Sequence, residues 1–169
     1  MPNITLCGFM GSGKTTVGKA LAKMLNYVFI DTDAEIEKRA GIKISEIFEK
    51  LGEAAFRQME SDIIKELARF DNQVISVGGG AVINKENARK LKSCSTVVFL
   101  DIDADTVIKR LGGDNTRPLL AGPDKRKKVT QLLSQRRPLY ISAADVIIDG
   151  RANAKTIAEK IAENLQICG

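Results

Sequence analysis

A glycine-rich stretch near the start of the chain has the spacing of a phosphate-binding loop. Residues 8–15 read Gly-Phe-Met-Gly-Ser-Gly-Lys-Thr. Glycine lets the backbone curl tightly around phosphate oxygens, and the following helix presents its N-terminus to the anion. In this pattern Lys14 reaches the β- and γ-phosphates and the Thr15 hydroxyl binds Mg²⁺. The sequence therefore predicts a nucleoside triphosphate site with magnesium, contacted by Gly11, Ser12, Gly13, Lys14, Thr15 and Thr16.

Two aspartates, Asp31 and Asp33, directly follow another short apolar run. Either carboxylate could cap a following helix by accepting hydrogen bonds from its first N–H groups. Either could also contact a metal ion or a substrate from a strand end that faces the phosphate loop. One residue can serve both purposes, so both interpretations stay open at this point.

Three consecutive glycines, residues 78–80, follow a further apolar run. No turn needs three glycines in a row. Backbone without side chains indicates a close approach, with a ligand packed against it, although a flexible turn would have the same composition.

Several arginines are ambiguous when each is taken alone. Arg57 and Glu60 share one face of a predicted helix, and a surface ion pair of little energetic value is the simpler interpretation. Arg117 lies in residues 112–128, a glycine- and proline-containing segment that we expect to be a mobile surface loop. Arg117 and Arg136, taken singly, are more typical of a surface than of a site.

The composition limits the chemistry. The chain has 169 residues, is 44% hydrophobic and 28% charged, and contains no histidine. The absence of histidine excludes the usual general base and the commonest transition-metal ligand. Any catalysis must therefore use carboxylates, lysine, arginine, hydroxyls and a hard metal ion. Three cysteines without CxxC spacing argue against a disulfide scaffold or a zinc site. The net charge of +5 fits either a solvated surface or attraction of anionic ligands.

Nucleic-acid and membrane partners are not expected. Aromatic residues make up only 5% of the chain, too few for the stacking surface of a single-strand binder. No apolar run approaches the roughly 20 residues that span a bilayer, and the N-terminus lacks the features of a signal peptide. The cytoplasm is therefore the expected compartment.

The elements that must position these residues alternate along the chain. Short continuous apolar runs predict strands at 4–7, 27–30, 74–77, 96–100 and 146–148, with helices between them. A long helix is expected over 45–70, with a break at Gly52. Such strands belong to a parallel sheet covered by helices on both faces, an α/β arrangement in three αβα layers. The loops after residues 7, 30 and 77 should then converge on one crevice.

Taken together and in this order, the motifs resemble the shikimate kinase family, in the nucleoside-monophosphate-kinase-like group of P-loop proteins. The resemblance implies a five-stranded parallel sheet with the P-loop NTPase fold, in one kinase domain over residues 1–169. It also implies ATP-dependent phosphorylation of the 3-hydroxyl of shikimate, on the route to aromatic amino acids. The matching stretches are residues 8–15, 31–33, 56–60, 78–80, 117–119 and 136–140.

The resemblance also implies an acceptor site, with an acceptor-binding region over about residues 31–70. Asp33 should hydrogen-bond the shikimate hydroxyls, and it is the only strong candidate to accept the hydroxyl proton. A loose transition state makes small demands on such a base, so orientation is its main expected task. Arg57 and Arg136 should bind the carboxylate, with Glu60 orienting Arg57. Backbone at Gly79 and Gly80 should contact the ring.

On the nucleotide side, the resemblance assigns catalytic roles to Lys14 and Arg117, beside Asp33. Residues of about 112–125 should form a mobile lid that brings Arg117 to the transferring phosphate. Asp31 should lie near Mg²⁺ through water. Arg110 should pack on adenine, and Asn153 is a further candidate for the adenine side. The implied ligands are ATP, Mg²⁺ and shikimate, and we expect a monomer.

Two other functions remain open from the residues alone. Another small-molecule kinase of this group, acting on gluconate or a nucleotide, would share the phosphate loop. A nucleotide-binding switch would share it too, but it would need a second interaction surface for which little sequence is left. Nucleic-acid binding is the weakest alternative, because the basic residues are dispersed.

Overall fold

A computed structural model of the protein describes residues 2–111 and 124–166. Its centre is a five-stranded, all-parallel sheet in the spatial order β2-β3-β1-β4-β5, which confirms the predicted sheet. The central strands are buried on both faces, whereas the edge strands expose Val28 and Ile147. The strands are β1 (Asn3–Cys7), β2 (Val28–Asp31), β3 (Gln73–Ser76), β4 (Ser95–Asp101) and β5 (Val146–Asp149).

Seven helices are described along these two stretches of chain. One further single turn of 3₁₀ helix, Ala81–Ile83, follows the triple glycine and was not predicted from the sequence. None of the helices in the described stretches is both long and apolar enough to span a membrane. The helices are α1 (Lys14–Leu25), α2 (Thr32–Ala40), α3 (Ile44–Leu67), α4 (Lys85–Cys94), α5 (Ala104–Leu111), α6 (Lys125–Ala143) and α7 (Ala154–Asn164).

The helices form two layers, one on each face of the sheet. Successive residues of β4 pack against opposite helix layers. Val98 and Leu100 pack with α1 and α7, whereas Val97 and Phe99 belong to the core formed with α2 to α6. Because both faces are covered, the strands read as continuous apolar runs rather than alternating ones. The predicted αβα architecture is therefore confirmed.

The long helix α3 contains the predicted break. Gly52 has φ 85° and ψ 168°, a backbone conformation that essentially only glycine adopts, and it divides α3 into two helical halves. The second half carries Arg57 and Glu60, and the first half carries Phe48, whose ring centroid lies 4.9 Å from that of Phe56. The two halves thus remain helical on either side of the break and contact each other through these rings.

Several element boundaries differ from the sequence prediction. Helix α2 begins at Thr32 rather than at residue 34, because the Asp31 carboxylate caps it. Asn84 is the cap of α4 rather than its first residue. Helix α6 begins at Lys125, three residues before the predicted start, and α3 ends at Leu67 rather than at residue 70. These shifts leave the element order unchanged.

Candidate active site

The phosphate loop joins the central strand β1 to helix α1. Its glycines at positions 8, 11 and 13 have φ values of 146°, 76° and 86°, which strain any other residue. Gly13 is the residue before helix α1, and no side chain accepts a hydrogen bond from the first N–H groups of the helix. A helix start of this kind is suited to an anion.

The Lys14 ammonium lies across this loop. Its Nζ atom donates hydrogen bonds to the carbonyl oxygens of Gly8, at 2.9 Å, and of Phe9, at 3.1 Å. The lysine is therefore held against the first residues of the loop in which the sequence predicts phosphate binding. A positive charge placed here offsets the charge of a polyphosphate.

The structure confirms the helix-cap interpretation for Asp31, and the metal interpretation stays a prediction. Its Oδ1 atom accepts hydrogen bonds from the backbone N–H groups of Asp33, at 3.1 Å, and Ala34, at 3.3 Å, so it caps α2. Its Oδ2 atom accepts a 2.8 Å hydrogen bond from the Thr15 hydroxyl. One carboxylate thus starts a helix and also places an oxygen beside the threonine predicted to bind metal.

The triple glycine is the point where the site's side chains meet. A Cβ atom on Gly78 would lie 2.7 Å from Oδ1 of Asp33 and 3.0 Å from Oε1 of Glu60. A Cβ atom on Gly80 would lie 2.6 Å from both terminal nitrogens of Arg57. The close approach is present, but the nearest groups are side chains of this chain, so the ligand contact expected at these glycines stays a prediction.

Arg57 and Glu60 form more than the surface pair that their spacing suggested. The Arg57 guanidinium donates a 2.9 Å hydrogen bond to Oε2 of Glu60, a carboxylate that is fully buried, and lies 3.4 Å from exposed Glu53. Burial raises the pKa of Glu60, the hydrogen bond from Arg57 opposes this, and the nearby Asp33 charge adds to the rise. Oε1 of Glu60 has no hydrogen-bond partner among the described residues.

Arg136 and Tyr140 approach the middle glycine from helix α6. A Cβ atom on Gly79 would lie 3.9 Å from Nη1 of Arg136 and 3.6 Å from the Tyr140 hydroxyl. The same position lies 3.6 Å from the carbonyl oxygen of Gly8 in the phosphate loop. The structure therefore brings Arg136 to the loop that also contacts Asp33 and Arg57, beside the phosphate site.

Of the two residues predicted for the adenine side, Arg110 contacts the phosphate loop. Arg110 donates hydrogen bonds to the carbonyl oxygens of Gly11, at 2.9 Å, and Gly150, at 2.8 Å. It thereby ties the loop to the segment after β5. Asn153 caps α7 by accepting a 3.0 Å hydrogen bond from the Thr156 N–H. Arg117 and all of the predicted lid except residues 124 and 125 lie outside the described residues.

One site-lining residue, Tyr140, was given no role from the sequence. Its spacing of four residues from Arg136 places both on one helix face, a signal that could have found it. Its partner is a backbone carbonyl 61 positions away along the chain, which no local pattern reveals.

The parallel sheet, the glycine loop at the end of its central strand and the carboxylate and arginines beside it define a P-loop kinase of the nucleoside-monophosphate-kinase type. Comparison with known proteins narrows this class. The family model described as shikimate kinase matches residues 10–166. A shikimate kinase from Caldicellulosiruptor bescii is 44% identical over 161 residues, covering 95% of this chain and 94% of the relative.

Two solved structures give the same result. The shikimate kinase from Acinetobacter baumannii in complex with shikimate superimposes with a TM-score of 0.92 at 39% identity, covering 99% of this chain and 94% of that one. A shikimate kinase from Aquifex aeolicus gives a TM-score of 0.85 at 41% identity, covering 97% and 96% of the two chains. The chain belongs to the shikimate kinase family.

Proposed function

We propose that this chain transfers the γ-phosphoryl group of ATP to the 3-hydroxyl of shikimate, giving shikimate 3-phosphate and ADP. The observation that carries the proposal is the meeting of three elements at residues 78–80. Asp33 and the arginines at 57 and 136 reach this glycine loop, and its middle residue, Gly79, approaches the carbonyl oxygen of Gly8 in the phosphate loop. A small acid with one carboxylate and several hydroxyls matches this set of groups.

On the donor side, Lys14 and the N-terminus of α1 hold the β- and γ-phosphates. The Thr15 hydroxyl and the Asp31 carboxylate lie 2.8 Å apart, and hard oxygen groups of this kind would suit Mg²⁺ beside the phosphates. When bound, magnesium neutralises charge on the phosphates. In this assignment Thr15 binds the ion and Asp31 acts through water.

On the acceptor side, Arg57 and Arg136 bind the carboxylate of shikimate and so fix its orientation. Glu60 holds the Arg57 guanidinium through its 2.9 Å hydrogen bond. Asp33 aligns the 3-hydroxyl with the γ-phosphoryl group and accepts its proton as the new P–O bond forms. Positioning and charge neutralisation supply most of the rate in such a transfer, so a strong base is unnecessary.

The proposal includes a lid over residues of about 112–125 that closes over ATP and brings Arg117 to the transferring phosphoryl group. Closure would exclude water and so prevent wasteful hydrolysis. This part rests on the family resemblance. We further propose a single domain over residues 1–169, with about 31–70 binding the acceptor, that acts as a monomer in the cytoplasm. Arg110 and Asn153 are proposed to flank the adenine.

A panel assay tests the proposed acceptor. ADP release is measured with ATP and magnesium in the presence of shikimate, gluconate or a nucleoside monophosphate, and the product's phosphorylated position is assigned by NMR. Of the three acceptors, we expect only shikimate to give turnover, and its product should carry the phosphate on the 3-hydroxyl. Turnover with another acceptor would make the chain a different small-molecule kinase. Tight ATP binding that no acceptor converts into ADP release would favour a nucleotide switch.

A further inference from the structure

The Tyr140 hydroxyl makes a hydrogen bond that the proposed reaction does not use. Tyr140 is fully buried on α6, and its ring centroid lies 5.2 Å from that of Phe99 on β4. The hydroxyl donates a 2.6 Å hydrogen bond to the carbonyl oxygen of Gly79. The side chain thus runs from the core of the sheet to the middle of the triple glycine.

The side chain of Arg136 also approaches Gly79. It lies one helical turn before Tyr140, and both side chains approach Gly79 within 4 Å of where its Cβ would be. A phenol has one proton to donate and lone pairs that accept further hydrogen bonds. Because the proton goes to Gly79, the lone pairs of the hydroxyl stay available to the Arg136 guanidinium, which approaches the same glycine.

The electrostatics of the tyrosine agree with this geometry. Burial raises the pKa of Tyr140 to about 12, and the nearby positive charge and hydrogen bond of Arg136 oppose part of that rise. The hydroxyl consequently keeps its proton at neutral pH. It remains a donor to Gly79 and presents a neutral oxygen to the arginine, whose charge stays available for a substrate anion.

We propose that Tyr140 is a positioning residue for the acceptor, whose hydroxyl fixes the Gly79 backbone and the Arg136 guanidinium relative to one another. An arginine already held in its binding orientation loses less conformational freedom when a carboxylate arrives. The inference rests on the proposed acceptor site and adds to it a residue that touches neither substrate.

Tyr140→Phe removes only the oxygen atom. We expect the KM for shikimate to rise about tenfold, equivalent to about 1.4 kcal/mol, because the arginine must be ordered at the moment of binding. The kcat and the KM for ATP should stay within about twofold of the unchanged enzyme, because the donor side is untouched. A loss of folding alone would not separate the two KM values in this way.

The chain offers a matched control in Tyr27, its other tyrosine. The Tyr27 hydroxyl is buried without a hydrogen-bond partner among the described residues, so Tyr27→Phe makes the same chemical change away from the glycine loop. It should leave every kinetic constant unchanged. Phe99→Leu is a second control, because it disturbs the packing of the Tyr140 ring without removing the hydroxyl. It should lower Tm but leave the KM for shikimate near its original value.

A double-mutant cycle with Arg136→Ala then tests the route of the effect. If Tyr140 acts through Arg136, Tyr140→Phe should raise the KM for shikimate much less in the Arg136→Ala background. Independent effects would overturn the inference, as would a Tyr140→Phe enzyme with an unchanged KM or one that fails to fold. A normal shikimate KM in Arg136→Ala alone would instead refute the acceptor site itself, without reference to Tyr140.

Discussion

Glu60→Gln separates what a buried charge does for binding from what it does for stability. Glutamine keeps the shape of the side chain, and its carbonyl oxygen can accept the hydrogen bond that Arg57 now donates at 2.9 Å. Its amide group would replace Oε1, an atom with no hydrogen-bond partner among the described residues. The substitution therefore removes a negative charge while leaving the packing and one hydrogen bond in place.

Stability should rise at neutral pH. Burial raises the pKa of Glu60 above its ordinary value of 4.5, against the opposing effect of Arg57. The folded chain thus holds this proton more tightly than the unfolded chain. The contribution of Glu60 to the free energy of unfolding is therefore present below pH 4.5 and is lost as the pH rises through the pKa of Glu60 in the folded chain. Glutamine does not titrate, so the variant escapes this loss and should have a higher Tm at pH 7.

Shikimate binding should weaken at the same time. A hydrogen bond to a charged acceptor contributes about 1 kcal/mol more than a neutral one, so the hold on the Arg57 guanidinium loses about that much. We expect the KM for shikimate to rise about fivefold. The KM for ATP should not change, because Arg57 lies on the acceptor side.

Thermal melts from pH 4 to pH 8 and steady-state kinetics at neutral pH measure both effects. Glu66→Gln is the matched control, since Glu66 is exposed and pairs with Arg39, a residue outside the proposed site. Arg39 lowers the pKa of Glu66, so that variant should lose a little stability at neutral pH and keep its kinetics. The reasoning is refuted if Glu60→Gln melts at a lower temperature than the unchanged protein at pH 7, or binds shikimate equally well.

Three further predictions concern the phosphate site, the acceptor site and the proposed lid. Lys14→Met should lower kcat at least about a hundredfold, whereas Lys19→Met, on the same helix, should not; retained turnover in the first variant would remove Lys14 from the site. Arg57→Ala should raise the KM for shikimate about thirtyfold or more and that for ATP little, with Arg39→Ala as control, and the reverse order would place Arg57 elsewhere. Arg117→Ala should lower kcat about a hundredfold or more at nearly unchanged ATP affinity, and a normal kcat would argue against the proposed lid.

Much of the fold could be predicted because its signals are local. Each strand is a continuous apolar run, and each strand end carries a glycine or an aspartate that marks the change of direction. The phosphate loop is contiguous in sequence, so its position follows from one stretch of chain. Parallel strands then place the loops after β1, β2 and β3 at one edge of the sheet.

The parts that escaped prediction depend on distant packing. Spacing alone makes Arg57 and Glu60 a surface pair, because nothing local reveals that the glycine loop covers Glu60. The start of α2 shifted because a single carboxylate oxygen caps two N–H groups. The 3₁₀ turn at Ala81–Ile83 has no periodicity of its own to detect, since it is only one turn long.

The crowding of the triple glycine limits how the acceptor preference of this fold can be changed. A side chain at Gly78 or Gly80 would force a proposed site residue to move, since a Cβ atom there would lie 2.7 Å from Asp33 Oδ1 or 2.6 Å from the Arg57 nitrogens. Gly79 alone would keep ordinary contact distances of 3.6 Å or more. An engineer seeking a different acid substrate should therefore vary position 79 or the facing helices, and leave the outer two glycines as a fixed template.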